Sequence, residues 1–222
     1  DMLGEGARTD AQAQIYFEAS EKAIDRLGRE GVGKAAEHRH AISVKLSALY
    51  PRYEEMHSKG VQDVLYGRLL SLAKRAAGYD INFTVDAEEA DRLSLSLDLI
   101  ERILKEPELD GWDGFGLAVQ AYQKRAPHVI DYLCDLAKLH EKRLMIRLVK
   151  GAYWDSEIKH AQEEGVADYP VFTRKAATDV CYLVCAEKLL NAGSNIYAQF
   201  ATHNAMTVAS ILEMVGLSLI HI

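Results

Sequence analysis

The chain has 222 residues, 49% of them hydrophobic, and a formal net charge of −7. That is enough apolar material for one sizeable core, and an acidic balance without any run of Lys or Arg excludes a general nucleic-acid surface, so no nucleic-acid partner is expected. No apolar stretch approaches the roughly 20 residues that a membrane span needs.

In chain order, residues 1–5 suggest the tail of a first strand. Thr9 or Asp10 then suits the cap of a first helix, with Gln12 placed as in a capping box. Gly31-Val-Gly-Lys-Ala-Ala36 matches a dinucleotide fingerprint, but it follows a helical pattern over 15–27 rather than a strand, and is rejected as a nucleotide site. Strands are predicted at 42–47, 81–86, 115–120, 144–149 and 196–202. Between them, Ala90, Leu93, Leu97, Ile100 and Leu104 mark one stripe of a helix over 87–105. Pro127 suits the first turn of another helix, and helices follow at 155–164 and 171–191, with Gly193 beyond the last.

The three cysteines are an odd number, and Cys181 and Cys185 sit four apart with no second ligand pair. Reduced thiols in a cytosolic protein are the expectation. No signal-peptide pattern opens the chain, and a start at Asp1 rather than Met suggests a piece of a longer protein.

Alternation within the strands indicates the architecture. Ser43, Lys45 and Ser47 share one side and Ile42, Val44 and Leu46 the other. Asn82, Thr84 and Asp86 oppose Ile81, Phe83 and Val85, while Gly116, Ala118 and Gln120 oppose Leu117 and Val119. Arg147 opposes Ile146 and Leu148, and Gln199 and His203 oppose Ile196, Ala198 and Phe200. One apolar side for helices and one small or polar side ending in a functional group fits an α/β fold of the distorted β/α (TIM-like) barrel type. A doubly wound open sheet is the competitor and would normally be apolar on both faces. A whole barrel needs about 250 residues and eight strands, so the barrel is expected to be incomplete at the C-terminus, with about six strands present. The domain is assigned to 1–222, with 216–222 as a tail of uncertain origin.

The most informative stretch is Leu144-Met-Ile-Arg-Leu-Val-Lys-Gly-Ala-Tyr-Trp-Asp-Ser-Glu157. A buried strand carrying Arg147 and running into Lys150 needs something to meet those charges, and an anionic or strongly polar ligand is the economical partner. A barrel would gather Lys45, Asp86, Gln120, Arg147, Lys150 and His203 at one mouth as a locally cationic pocket, suited to a carboxylate substrate or a phosphate-bearing cofactor. Gly151 and Ala152 would allow close approach to the backbone, Tyr153 and Trp154 would wall in a planar ring, and Thr173, Arg174 and Lys175 would open a helix able to hold a pyrophosphate. Plainer readings exist: Lys45 as a surface lysine, Asp86 as the N-cap of the next helix, His203 as an ordinary loop histidine, Thr173–Lys175 as a solvated first turn. His140, His160 and His203 share no local ligand spacing, and no metal is expected.

Along nearly the whole length the chain resembles the proline dehydrogenase domain of the bifunctional proline utilization A flavoenzymes. The matching stretches are Ile42-Ser-Val-Lys-Leu-Ser-Ala48, Val85-Asp-Ala-Glu-Glu-Ala-Asp-Arg92, Gln120-Ala-Tyr-Gln-Lys-Arg125, Arg147 to Glu157, Thr173-Arg-Lys175 and Phe200-Ala-Thr-His-Asn204. The motif at Arg147 is more similar to the bifunctional bacterial enzymes than to the single-function ones.

The resemblance implies a distorted β/α barrel holding FAD and oxidising L-proline to pyrroline-5-carboxylate, with electrons passed to quinone. It implies that Lys45 pairs with the substrate carboxylate, Arg147 lies beside flavin N5, Asp86 orients the site by hydrogen bonding and Tyr153 shapes the substrate pocket. Gln120, Val149, Lys150, Gly151, Ala152 and Trp154 would contact the flavin or its tail. Thr173, Arg174, Lys175, Thr202 and His203 would hold the ribityl, pyrophosphate and adenosine parts. An aldehyde dehydrogenase domain would follow in the parent chain, which would be cytoplasmic and peripheral at the inner membrane. The family's last two strands, and a final helix with an Arg pair that grips the substrate carboxylate, have no counterpart here. Two other readings stand beside it: a Schiff-base aldolase using Lys45 or Lys150, and a non-catalytic remnant.

Overall fold

The computed structural model describes residues 4–31 and 40–216. Five parallel strands form one sheet in the order β1-β2-β3-β4-β5: β1 Ala41–Val44, β2 Asn82–Val85, β3 Phe115–Gln120, β4 Leu144–Val149 and β5 Ile196–Phe200. Spatial order equals chain order, as repeated βα units with one sense of crossover produce. Gly4 and Glu5 lie in no strand, and Asp1–Leu3, most of the rejected Gly31–Ala36 fingerprint and residues 217–222 of the tail lie outside the described residues. The chain divides into two units, residues 1–117 and 118–222.

In the first unit, α1 (Asp10–Gly31) starts as its sequence dictates: Thr9 Oγ1 accepts from Gln12 N at 3.1 Å, and the Gln12 side chain reaches back to Arg8 N at 2.9 Å. A helical turn α2 (Leu46–Leu49) follows β1, so the first strand ends three residues earlier than its alternation predicts. Next come α3 (Ser58–Gly60), a π-helical segment Val61–Leu65, and α4 (Tyr66–Gly78). The Arg102 guanidinium donates to the Gln62 carbonyl within the π segment at 2.7 Å. α4 packs on α1, with Ile24, Leu69, Leu72 and Ala73 fully buried, and Arg75 bonds Glu21 and Asp25 of α1 at 3.1 and 2.8 Å.

The expected helix over 87–105 begins later, as a 3-10 turn Ala90–Arg92 leading into α5 (Leu93–Leu104). Its buried stripe is Leu95, Leu99, Ile100, Ile103 and Leu104, one step round from the predicted one; Leu93 and Leu97 are only half-buried.

In the second unit, α6 (Ala126–Leu139) carries Pro127 in its first turn, and α7 (Trp154–Glu163) follows β4. The helix predicted from 171 starts at 175, as α8 (Lys175–Leu190), because Val171 is used in an antiparallel bridge to Gln123. α6 and α8 lie against each other and share the Lys188–Asp131 ion pair at 2.6 Å. Asn204 caps α9 (Ala205–Met214), accepting from Thr207 N at 3.0 Å. All three cysteines are free and buried.

Gly28 of α1 tests this packing. A Cβ there would come within 2.2 Å of the Tyr79 ring. Gly→Ala inside a helix ordinarily stabilises by up to about 1 kcal/mol, whereas Gly28→Ala is expected to destabilise by about 1–3 kcal/mol, read as a lower urea midpoint.

Candidate functional site

The first unit places Lys45 just past the end of β1 and Asp86 just past the end of β2, where Asp86 N donates to the Val44 carbonyl at 2.8 Å. Lys45 Nζ lies 3.6 Å from Asp86 Oδ2, and each side chain is only 19% exposed. Lys45 is therefore no loose surface lysine. The N-cap reading of Asp86 fails too, because residues 86–89 are not helical.

A carboxylate that the sequence reading passed over lies beneath this pair. Glu88 Oε1 accepts from Ser47 N at 3.0 Å and Oε2 from Arg92 at 3.2 Å, with the Glu88 side chain 3% exposed. Burial pushes its carboxyl up from the usual range, against the hydrogen bonds from Ser47 and the charge of Arg92. Arg92 also bonds Glu89 at 3.0 Å and stacks on the Tyr53 ring at 5.4 Å. Glu88 is visible in the sequence only as one of the four acids between Val85 and Arg92, in a run that reads mostly as a helix.

The second unit is organised by the turn after β4. Gly151 has φ +141°, and a Cβ there would sit 2.5 Å from the Tyr122 ring. Glycine is thus required by the protein's own packing, and the close approach its sequence suggests is to Tyr122. Three loops are laced around that contact. Ala121 and Tyr122 N–H groups donate to the Val149 and Lys150 carbonyls, both at 2.8 Å. Phe172 N donates to the Tyr122 carbonyl at 2.8 Å, and the buried Gln120 side chain accepts from Ala152 N at 3.1 Å.

Tyr122, Lys150, Gly151, Trp154, Phe172, Thr173, Lys175 and Thr178 line an open cavity of ≈ 420 Å³. Trp154 is fixed by its indole N–H donating to the Phe172 carbonyl at 2.9 Å while the ring stays 42% exposed. Two cations meet at the cavity over one acid: Lys150 bonds Asp179 Oδ1, and Lys175 reaches Oδ2 at 2.6 Å. The hydrogen bonds from Lys150 and Lys175 hold the Asp179 carboxyl below the ordinary carboxylate range. Lys150 also lies 5.8 Å from the centre of the Tyr182 ring.

Of the residues predicted from sequence, the cavity brings together Lys150, Gly151, Trp154, Thr173 and Lys175. Gln120, Val149 and Ala152 shape its frame through the backbone bonds above rather than lining it. Arg174 stands exposed at the start of α8, and Tyr153 is half-buried at the start of α7. Arg147 sits in β4 opposite Gln199 of β5, half-buried between fully buried Ile146 and Leu148 as the alternation requires. Thr202 and His203 lie in the loop after β5, where Thr202 Oγ1 accepts from Asn204 N at 3.1 Å and His203 is exposed. Tyr122, Phe172 and Thr178 were not predicted; the only signal was an aromatic inside the matched 120–125 motif.

The profile of the family described as proline dehydrogenase matches residues 1–220. The chain belongs to the proline dehydrogenase family. The bifunctional protein PutA of Klebsiella aerogenes is 56% identical over 216 residues, covering 97% of this chain and 16% of that protein. Proline dehydrogenase 1 of Bacillus subtilis is 27% identical over 219 residues, covering 97% and 59% respectively. The gap between the two agrees with the affinity of the Arg147 motif for the bifunctional enzymes. A mutant of proline utilization A from Bradyrhizobium japonicum, solved by crystallography, superposes with a TM-score of 0.94 at 59% identity, over 96% of this chain and 22% of that one. Its likeness identifies the α/β fold as the TIM-like barrel of these proline dehydrogenase domains rather than a doubly wound sheet, with five parallel strands among the described residues.

Asp179 carries a pH-dependent prediction for this proline dehydrogenase domain. Its folded-state pKa is lowered, so its contribution is present above the ordinary carboxyl value of 3.8 and lost as pH falls through the depressed one. Thermal melts from about pH 6 to about pH 2 are expected to show Asp179→Asn losing less stability on acidification than the parent chain.

Proposed function

We propose that the chain carries the FAD-dependent oxidation of L-proline to pyrroline-5-carboxylate, within a longer parent that also holds an aldehyde dehydrogenase domain and passes electrons to a quinone. The carrying observation is the second-unit cavity, where two lysines, an aromatic wall and the start of a 16-residue helix meet. Those features suit an anionic cofactor with a planar ring. Trp154 and Phe172 offer the flat apolar face, Lys150 and Lys175 offer charge for a pyrophosphate, and the N-terminus of α8 offers the positive end of a helix dipole. The volume falls in the range of small-molecule and cofactor sites. The donor set therefore fits part of FAD.

When bound, FAD would supply the hydride acceptor at N5. The chain's own residues would supply binding, orientation and charge. Lys150, Lys175, Thr173 and Arg174 would hold the phosphates and ribityl, with Thr202 and His203 at the adenosine end, while Trp154, Gln120, Val149, Gly151 and Ala152 form the frame. Arg147 would place a guanidinium beside the ring, where negative charge gathers during reduction. Lys45, held by Asp86 at 3.6 Å, would clamp the proline carboxylate, and Tyr153 would bound the substrate. As the hydride leaves the carbon next to the ring nitrogen, the amine proton is lost and a carbon–nitrogen double bond forms. The parent is read as cytoplasmic and peripheral at the membrane; no helix among the described residues is long and apolar enough to cross one.

A Schiff-base lysine is activated by an apolar pocket or a neighbouring cation rather than by an ion pair to a carboxylate. Lys45 and Lys150 are each held against one, which argues against the aldolase reading.

The test is the visible spectrum of the chain reconstituted with FAD, before and after L-proline is added without oxygen. The proposal expects a bound flavin that bleaches; no binding, or a flavin that stays yellow with proline, counts against this chain as the carrier of the reaction. In the same assay Arg147→Met is expected to lower the flavin potential and slow reduction on the order of 100-fold, with FAD still bound.

A further inference from the structure

Lys45 and Asp86 stand at the ends of two adjacent strands, and a pair held at 3.6 Å needs its two loops fixed against each other. One tie is the backbone bond from Asp86 N to the Val44 carbonyl. The other lies two residues further along each segment, where Ser47 N, in α2, donates to Glu88 Oε1 at 3.0 Å. The two ties bracket the pair.

Glu88 is unusually well held for a carboxylate with no role in the substrate clamp. Its side chain is 3% exposed, with Oε2 on Arg92 at 3.2 Å. Ser47 is itself 2% exposed and anchored from behind. Gly6 N donates to its hydroxyl at 2.9 Å and Ala7 N to its carbonyl at 2.8 Å. Arg92 is pinned in turn by Glu89 and by the Tyr53 ring, whose hydroxyl donates to the Arg92 carbonyl at 3.2 Å. A buried charge is expensive unless hydrogen-bonded on several sides, and this one is. A Gln would satisfy the Ser47 N–H equally well, an Asp would fall one methylene short, and a Leu would leave the N–H unmet.

We infer that Glu88 is a positioning residue: it fixes the α2 turn at Ser47 against the loop after β2 and so holds Lys45 on Asp86 in the geometry that presents the amine to a carboxylate substrate. The substrate-facing role of Lys45 is the one proposed above; the positioning itself is testable without flavin or proline.

The experiment is competitive acetylation of the chain under native conditions, reading Lys45 by mass spectrometry against Lys105, whose side chain is 51% exposed. Glu88→Gln is expected to keep the Lys45-to-Lys105 ratio of the parent chain, while Glu88→Asp and Glu88→Leu raise it about tenfold as Lys45 is released. A role confined to stability would lower the melting temperature and leave that ratio unchanged in the folded variants. Unchanged ratios in Glu88→Asp and Glu88→Leu overturn the inference. So does a rise in Glu88→Gln equal to theirs, since charge would then be what matters, and so does failure of all three to fold, which would make Glu88 a folding residue. If only Glu88→Leu fails to fold, the Asp and Gln variants decide. The flavin assay can fail with these ratios as expected, which separates loss of the proposed activity from loss of the positioning role.

Discussion

The close contact between Gly151 and the Tyr122 ring is the constraint on which the second unit's site depends. A side chain at 151 would meet that ring at 2.5 Å, and the φ of +141° is one that other residues rarely adopt. With glycine there, the chain leaves β4, presses against the loop after β3 and gives up the Val149 and Lys150 carbonyls to it. The Tyr122 carbonyl in turn orders Phe172, and Phe172 orders the Trp154 indole. Lys150 is delivered next to Asp179 as a consequence of where that turn ends. Cavity, aromatic wall and cation pair are thus products of one backbone turn.

The same logic runs at smaller scale in the first unit. There the constraint is electrostatic: a buried Glu88 must find donors, and Ser47 and the Arg92 guanidinium are among those it finds. Both sites pair lysine with aspartate close to a strand end. In each, the acid fixes where the amine sits. Partly buried and held on several sides, these pairs also fix the orientation of each lysine.

Much of this was legible in the sequence because period-2 alternation and turn chemistry are local. β3 and β4 fall where alternation puts them, and Arg147 alternates with buried Ile146 and Leu148. What escaped depends on contacts distant in sequence. Val171 looks like the start of a helix until Gln123 claims it for a bridge. Asp86–Glu89 looks like a first turn until Glu88 is drawn inward to Ser47, 41 residues away. Tyr122 and Phe172 go unmarked in the sequence, since nothing local shows which aromatics line a cavity. The site motifs nevertheless stood out, because charges in apolar strands demand explanation wherever they occur.

If the Tyr122–Gly151 turn builds a cavity that takes the flavin beside Trp154, the Trp154 indole must sense the bound ring. The sequence holds two tryptophans, so in a Trp112→Phe background Trp154 is the remaining indole fluorophore. Titrating that chain with FAD while following tryptophan emission reads this contact. Saturable quenching that is lost when Gly151→Val disturbs the turn in an otherwise folded chain is the predicted result. Absence of saturable quenching, or quenching unaffected by Gly151→Val, would contradict it.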